Sequence, residues 1–390
     1  MTHAAGTLDT TFGTDGRVIN PLGGMLSPMT LLVAADDSIL LPGSCTSGGI
    51  NATAETCVTR LTPDGILDPS YGNSGIATLD GLSPTDAVIL SDGSIVVGGS
   101  ANDVAAYGIL DANGKNSTIT NFPATALGNT AGDVVQIALA PDDSVIGLFS
   151  ATDLNTNGFT VNVAKITSAG EFDTTFGAGG YANWDLTNIN IYTTDGLAVR
   201  PNGKIVVLAD GPGNSGLVED KAVRILQLDS SGALDTSFGI DGQTMVDLGQ
   251  GLQWGHTSPV ITPDGKIIAT HNFAGLLAFK ADGTDLDTTF GNNGRLSMAR
   301  TYGSLPYVSL DNQNHLLVAT CSPPALESVW RFTDDGAADI SFGVNGQATT
   351  SSLADFTNGC SFAARVQKDG RIVVLTWTDQ NILVVSRLWN

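Results

Sequence analysis

The stretch GALDTSFGIDGQ (residues 232–243) decides how this chain is read. Near-copies stand at GTLDTTFGTDGR (6–17), GEFDTTFGAGGY (170–181) and TDLDTTFGNNGR (284–295). Aligned, the copies start at Leu8, Leu67, Asn116, Phe172, Leu234, Leu286 and Ala338, spaced 49 to 62 residues apart. The Asn116 copy, NSTITNF, has lost the pattern and is marked only by the preceding ILDANG; the Ala338 copy, ADISFG, is partly worn. Seven units account for all 390 residues, so a single domain over residues 1–390 is expected.

Inside a unit the signals are all β. In residues 84–122, PTDAVIL is followed by the turn SDG, the return run SIVVGGS, a third run DVAAYGILD and a turn at NG. Asp-Gly and Asn-Gly supply the positive φ of hairpin turns. The same order recurs in GLAVRPNGKIVVLAD, PVITPDGKIIATH and FAARVQKDGRIVVLTW, and no segment sustains a helical apolar period. The repeated phrase follows the third strand. Its Leu or Phe and its aromatic four residues later (Phe12, Tyr71, Phe176, Phe238, Phe290, Phe342) can anchor a corner by burial. Its Asp suits an Asx turn, and its last glycine opens a fourth strand. An all-β, seven-bladed β-propeller of four-stranded antiparallel blades is predicted. The chain starts with a corner and a fourth strand and ends after a third strand. Residues 16–20 are therefore expected to complete the last blade, beside strands near 359–367, 371–377 and 381–388, and deleting the first twenty residues should destabilise the far end of the chain.

The formal charge is −22, from 39 acidic and 17 basic residues. Such a field repels phosphate backbones and anionic lipid, so no nucleic-acid partner is expected. The apolar runs are too short to span a bilayer, so no membrane insertion is expected either. No charged-then-apolar leader precedes the first repeat. Secretion by a leaderless route and a cytoplasmic location both stay open.

The phrase LDTSFG..G together with PDGKI resembles the bacterial delta-sixty repeat, a group within the β-propeller proteins. The resemblance covers nearly the whole chain and implies the fold. It implies no single activity, catalytic set or cofactor. A repeated calcium loop is the functional rival for the phrase, but DTTFGTDG lacks the dense carboxylates a hard cation needs.

Propellers by analogy bind at one end of the axis, where first strands begin and second strands end. Insertions at 46–55, 151–157, 211–219 and 322–326 fall there. His256 and His271 flank the hairpin at Asp264-Gly265, and one of them can serve as a general base in a lyase or hydrolase. No third ligand supports a metal, and hydrogen-bonded loop histidines are the plain alternative. Asp86, Asp133, Asp195, Asp210, Asp355 and Asp379 recur at the same mouth, as carboxylates for catalysis or as ordinary loop residues. Trp254, Tyr302, Phe356 and Trp377 offer faces for a sugar or flat ligand, or pack between blades. Cys45 faces Cys57 across one loop, and Cys321 falls near Cys360. Two disulfides would point to an oxidising compartment, against buried free thiols. There is no CxxC pair, GxSxG elbow or HExxH. The expected function is binding of a glycan, a small molecule or a protein surface at the loop face and axial funnel. The alternative is a propeller enzyme with a histidine base. The cofactor, if one is used, is left unknown by the sequence.

Overall fold

Short β-rich runs broken by Asp-Gly and Asn-Gly turns give strands of two to nine residues in the computed structural model of the chain. It describes residues 3–20, 25–45, 55–122, 132–153, 158–185, 193–212, 220–250, 259–271, 275–298, 307–321, 327–350, 359–378 and 382–390. Among these residues the strands sort into seven antiparallel sheets. Blade 2 shows the plan: Ser83–Ile89 is innermost, followed by Ile95–Ala101, Val104–Leu110 and the outermost Ser117–Asn121. Blade 1 departs slightly, because its inner edge is split into Met25–Pro28 and Leu32–Val33, both paired to Ile39–Cys45.

Blade 7 is built from both ends of the sequence. Gly359–Val366, Ile372–Thr378 and Leu383–Leu388 are completed by Arg17–Ile19, with Arg17 opposite Ser386 and Ile19 opposite Val384. The inner strand of blade 7 in turn packs on Leu32–Val33 of blade 1, which closes the ring. The expected head-to-tail closure is therefore present. The turn before the closing strand is shared by the two termini: Gly6 N–H donates to the Trp389 carbonyl (2.7 Å), and Trp389 N–H donates to Thr7 (2.9 Å).

Alternation along each strand sends side chains to both faces of a blade, so the core is divided among the seams between blades. Seven apolar clusters result, one for each pair of neighbouring blades. Leu40, Val58, Val97 and Ala106 join blades 1 and 2, for instance, and Phe12, Leu31, Leu41 and Val385 join blades 7 and 1.

The repeated phrase is the clasp across these seams. The glycine after its aromatic residue donates N–H to a carbonyl in the next blade's turn: Gly13 to Asp64, Gly72 to Asn113, Gly177 to Ser231, Gly239 to Asp282, Gly291 to Asp335 and Gly343 to Ala5, at 2.7 to 3.0 Å. The aromatic residue is buried; Phe12, Phe176 and Phe238 are at most 1% exposed, a burial that stabilises by about 1.5–3 kcal/mol each. It leaves no room for a Cβ on the turn glycine above it, as Phe12 does under Gly65 and Phe238 under Gly283. The phrase's last glycine, such as Gly75 at φ 99°, has the corner leucine against its missing Cβ.

The corner Asp is fixed twice. One oxygen accepts both the N–H and the hydroxyl of the Ser or Thr two residues on, as Asp235 does from Ser237 (3.2 and 2.5 Å). The other oxygen meets a cation. That cation comes from the third strand for Asp68 (Arg60), Asp173 (Lys165) and Asp339 (Arg331). It comes from the first hairpin for Asp235 (Lys204) and Asp287 (Lys266). Asp9, in the closing blade, has both Arg371 and Arg387. Although burial pushes the Asp9 carboxyl up, hydrogen bonds from Thr11 and Arg371 and the charge of Arg387 hold it at about 2.

Blade 2 corrects the sequence alignment. Asn116 does not begin a worn corner. Asp111 N–H bonds the Asn116 carbonyl across a tight turn (3.0 Å), and Ser117 opens the outermost strand at once. The corner's residues are missing, while the outer strand is intact. The cation is missing too: Ile109 takes the register position of Arg60, and Ser94 takes that of Lys204. The seam from blade 2 to blade 3 is held by other means. Tyr107 donates its hydroxyl to the Gly170 carbonyl (2.9 Å), and its ring joins Phe122 and Phe172, with Phe122 also edge-on to Phe149.

Candidate functional site

The ring geometry puts the starts of the first strands and the ends of the second strands on one face. Both disulfides lie there. Cys45–Cys57 closes the hairpin between the second and third strands of blade 1, and Cys321–Cys360 links blade 6 to blade 7. All four cysteines are paired.

Beneath that face the inner strands line the axial channel. In four blades the inner strand carries a bulge at the same position, namely at Thr85, Val135, Asp195 and Phe362. A bulge twists the strand and re-aims the side chain it carries. In blades 2 and 3 the next residue straps the blade to the following one. Asp86 accepts the N–H of Ile137 in blade 3 (3.1 Å), and Gln136 accepts the N–H of Leu197 in blade 4 (2.5 Å). Asp86 also accepts from Ala87 N–H (2.9 Å). A neutral amide performs the strap in blade 3, so the negative charge in blade 2 is not needed for it.

Two more inner-strand groups act on that charge or are acted on by it. Burial pushes the Asp86 carboxyl up to about 6, against the N–H groups of Ile137 and Ala87 and the positive charge of Arg365. Burial pulls Arg365 in blade 7 below the ordinary guanidinium range, and Asp86 opposes that shift. Tyr307 in blade 6 is raised by burial and then by the Asp86 charge. Three blades thus send a carboxylate, a guanidinium and a phenol into one electrostatic neighbourhood. Tyr307 keeps 36% of its surface as a residue, and its ring stands edge-on to Phe362, with centroids 6.3 Å apart. The corresponding inner-strand position to Arg365 is Leu32, Val88, Ala138, Ala198, Val260 or Ser309 in the other blades.

The residues singled out in the sequence are placed unevenly. His256, Trp254, Tyr302, Phe356, Asp355 and Asp379 lie outside the described residues. His271 ends the second strand of blade 5, with its backbone opposite Gly275. Asp195 occupies the bulge of blade 4, and Asp133 starts the inner strand of blade 3 opposite Ser150. Asp210 is buried, at 3% exposure, in the second strand of blade 4. Trp377 is half-buried against the cluster between blades 7 and 1. Among the described residues no group of three His, Cys, Asp or Glu is arranged for a metal. Asp86 was among the sequence candidates; Arg365 and Tyr307 were not. Their signal is a charge or a large ring at an inner-strand position that is small or aliphatic elsewhere.

No family model matches the chain, and no curated protein matches it. Solved structures do. The chain is similar to prolyl oligopeptidase B from Galerina marginata, at 10% identity and TM-score 0.47, with 90% of this chain and 46% of that one covered. It thus spans about half the length of the oligopeptidase chains it matches. It is also similar to the β-propeller domain of the Trilobed protease from Pyrococcus furiosus, at 9% identity and TM-score 0.49, covering 93% of this chain and 94% of that one. That domain is described as having an open velcro topology. The class of this protein, a seven-bladed β-propeller, rests on its own sheet order and ring closure.

Proposed function

We propose that the chain is a single propeller unit of the delta-sixty repeat type. It acts as a binding protein that receives a glycan, a small molecule or a protein surface at the loop face and axial mouth. The observation that carries this reading is the retained charge of Asp86. It is half-buried in the channel, its strap works elsewhere with a neutral glutamine, and Arg365 and Tyr307 share its field. Groups kept at a cost in stability, with shifted ionisation, in a concave site are candidates for binding or catalysis. The charge of −22 speaks against nucleic acid and anionic lipid as partners. Two disulfides at the binding face fit an oxidising compartment, which favours secretion over the cytoplasm. The enzyme alternative rests on His256, which lies outside the described residues, and His271, whose backbone pairs with Gly275, so binding is preferred.

The test is calorimetric titration of a panel of monosaccharides and short oligosaccharides into the wild type and Tyr307→Ala. Saturable binding that the variant loses is expected. Binding that is unchanged in Tyr307→Ala would remove the axial mouth from the account, and a panel without any binder would remove the glycan.

A further inference from the structure

Arg365 is out of place by every local criterion. It sits on an innermost strand, where the same position is aliphatic or small in five blades and a serine in the sixth. It is half-buried, and a guanidinium away from bulk water needs partners. Its Nη1 donates to the Ala364 carbonyl at 2.9 Å. Among the described residues it has no ion pair within contact distance, whereas Arg60, Lys165, Lys204, Lys266, Arg331, Arg371 and Arg387 each hold a carboxylate. The fork of Nε and Nη2 is left without a protein acceptor there. A planar fork of this kind matches a carboxylate with two parallel hydrogen bonds. On the same inner strand, three residues before Arg365, the bulged residue Phe362 meets the exposed Tyr307 in an aromatic corner of blades 6 and 7.

We infer that the axial mouth recognises a small carboxylic acid with a ring-shaped body, its carboxylate held by the free fork of Arg365 and its ring against Tyr307 and Phe362. Asp86, across the channel, accepts from a hydroxyl or amine on the ring and repels a second carboxylate. The inference rests on the binding reading above and narrows it to a ligand class. The interaction should also weaken as salt rises, since screening weakens an ion pair that water can reach.

The experiment uses benzoate as the probe and benzyl alcohol as its neutral counterpart. Both are titrated calorimetrically into the full chain at constant ionic strength. Saturable benzoate binding is expected, at least tenfold tighter than benzyl alcohol. Arg365→Met should bring benzoate down to the affinity of benzyl alcohol. Arg365→Lys keeps the charge but not the fork, and should weaken benzoate several-fold; it serves as the readout if the methionine variant does not fold. Circular dichroism and a thermal melt of each variant without probe establish folding. Equal affinity for the two probes overturns the carboxylate inference. So does benzoate affinity that survives Arg365→Met, or the absence of saturable benzoate binding. The sugar panel with Tyr307→Ala is separate, so a binder there alongside equal probe affinities would retire the carboxylate and leave the binding face standing.

Discussion

The seam between blades 7 and 1 and the seam between blades 2 and 3 solve one problem with opposite materials. At the first, the corner phrase is present in full. Gly13 clasps Asp64, Phe12 fills the space beneath Gly65, and Asp9 receives Arg371 and Arg387. Arg387 is fully buried and also donates to the Pro63 carbonyl (2.7 Å) and to Gln367 (3.3 Å). One blade further back, Arg17 on the closing strand meets buried Glu327 of blade 6 (3.3 Å), which also accepts from Ser386 (2.6 Å). At the second seam the phrase is absent. Among the described residues no ion pair replaces it, and the blades are joined by Tyr107, Phe122, Phe149 and Phe172. The comparison shows what the repeated phrase is for. Where it disappears, the glycine clasp, the caged aromatic and the cation disappear together, so they act as one inter-blade device. The ring still closes because apolar area can substitute for it.

The largest expected effect is at the polar seam. Arg387→Met leaves buried Asp9 with a single cation, Arg371, and should cost about 3–5 kcal/mol in urea unfolding. A loss below about 1 kcal/mol would mean that the network is ornamental and that both seams are held by apolar packing. At the aromatic seam, Tyr107→Ala should cost about 3–4 kcal/mol, and Tyr107→Phe about 1 kcal/mol for the hydroxyl bond to Gly170. Equal costs for the two variants would shift the weight from the ring to the hydrogen bond.

The pH dependence separates the seams further. The corner carboxyls are held below their ordinary value; for Asp235 the hydrogen bonds from Lys204 and Ser237 do this against desolvation. A carboxyl depressed in the folded state contributes stability above about pH 4 and loses it as pH falls. Asp235→Asn should therefore cost about 1–2 kcal/mol at pH 7 and clearly less near pH 2, by denaturation at the two values. Asp86 behaves in the opposite sense. Its folded pKa of about 6 lies above the unfolded value near 4, so the folded chain takes up a proton in that window and gains stability as pH falls through it. Asp86→Asn should stabilise by about 1 kcal/mol at pH 8 and be neutral near pH 4. A variant destabilised at both values would make Asp86 a structural strap with no surplus charge to explain.

The fold was legible because its punctuation is local. Asp-Gly turns and the four-residue spacing of Leu and Phe in the phrase need no knowledge of distant contacts. The third unit is the exception for a related reason: its spacing of 49 residues suggests a worn copy at Asn116, whereas the corner itself is missing. The exchange of cations between the third strand (Arg60, Lys165, Arg331) and the first hairpin (Lys204, Lys266) was also visible in principle. It needed the strand register, which places Lys165 and Gln227 at one position, to become meaningful. The site was largely illegible. Asp86, Tyr307 and Arg365 are separated by more than two hundred residues from first to last, carry no motif, and meet only because the ring brings blades 2, 6 and 7 around one axis. The histidines stand out in the sequence because they are rare and flank one hairpin, which speaks to backbone position and not to side-chain chemistry.

Ring closure by the first strand underlies both seams and the channel, and hydrogen exchange measures it directly. The amides of residues 17–19 and 384–386 should exchange through one opening event, with the same free energy and the same dependence on urea. Free exchange at 17–19 beside protected amides at 384–386 would contradict the closed ring and leave the channel site without its frame.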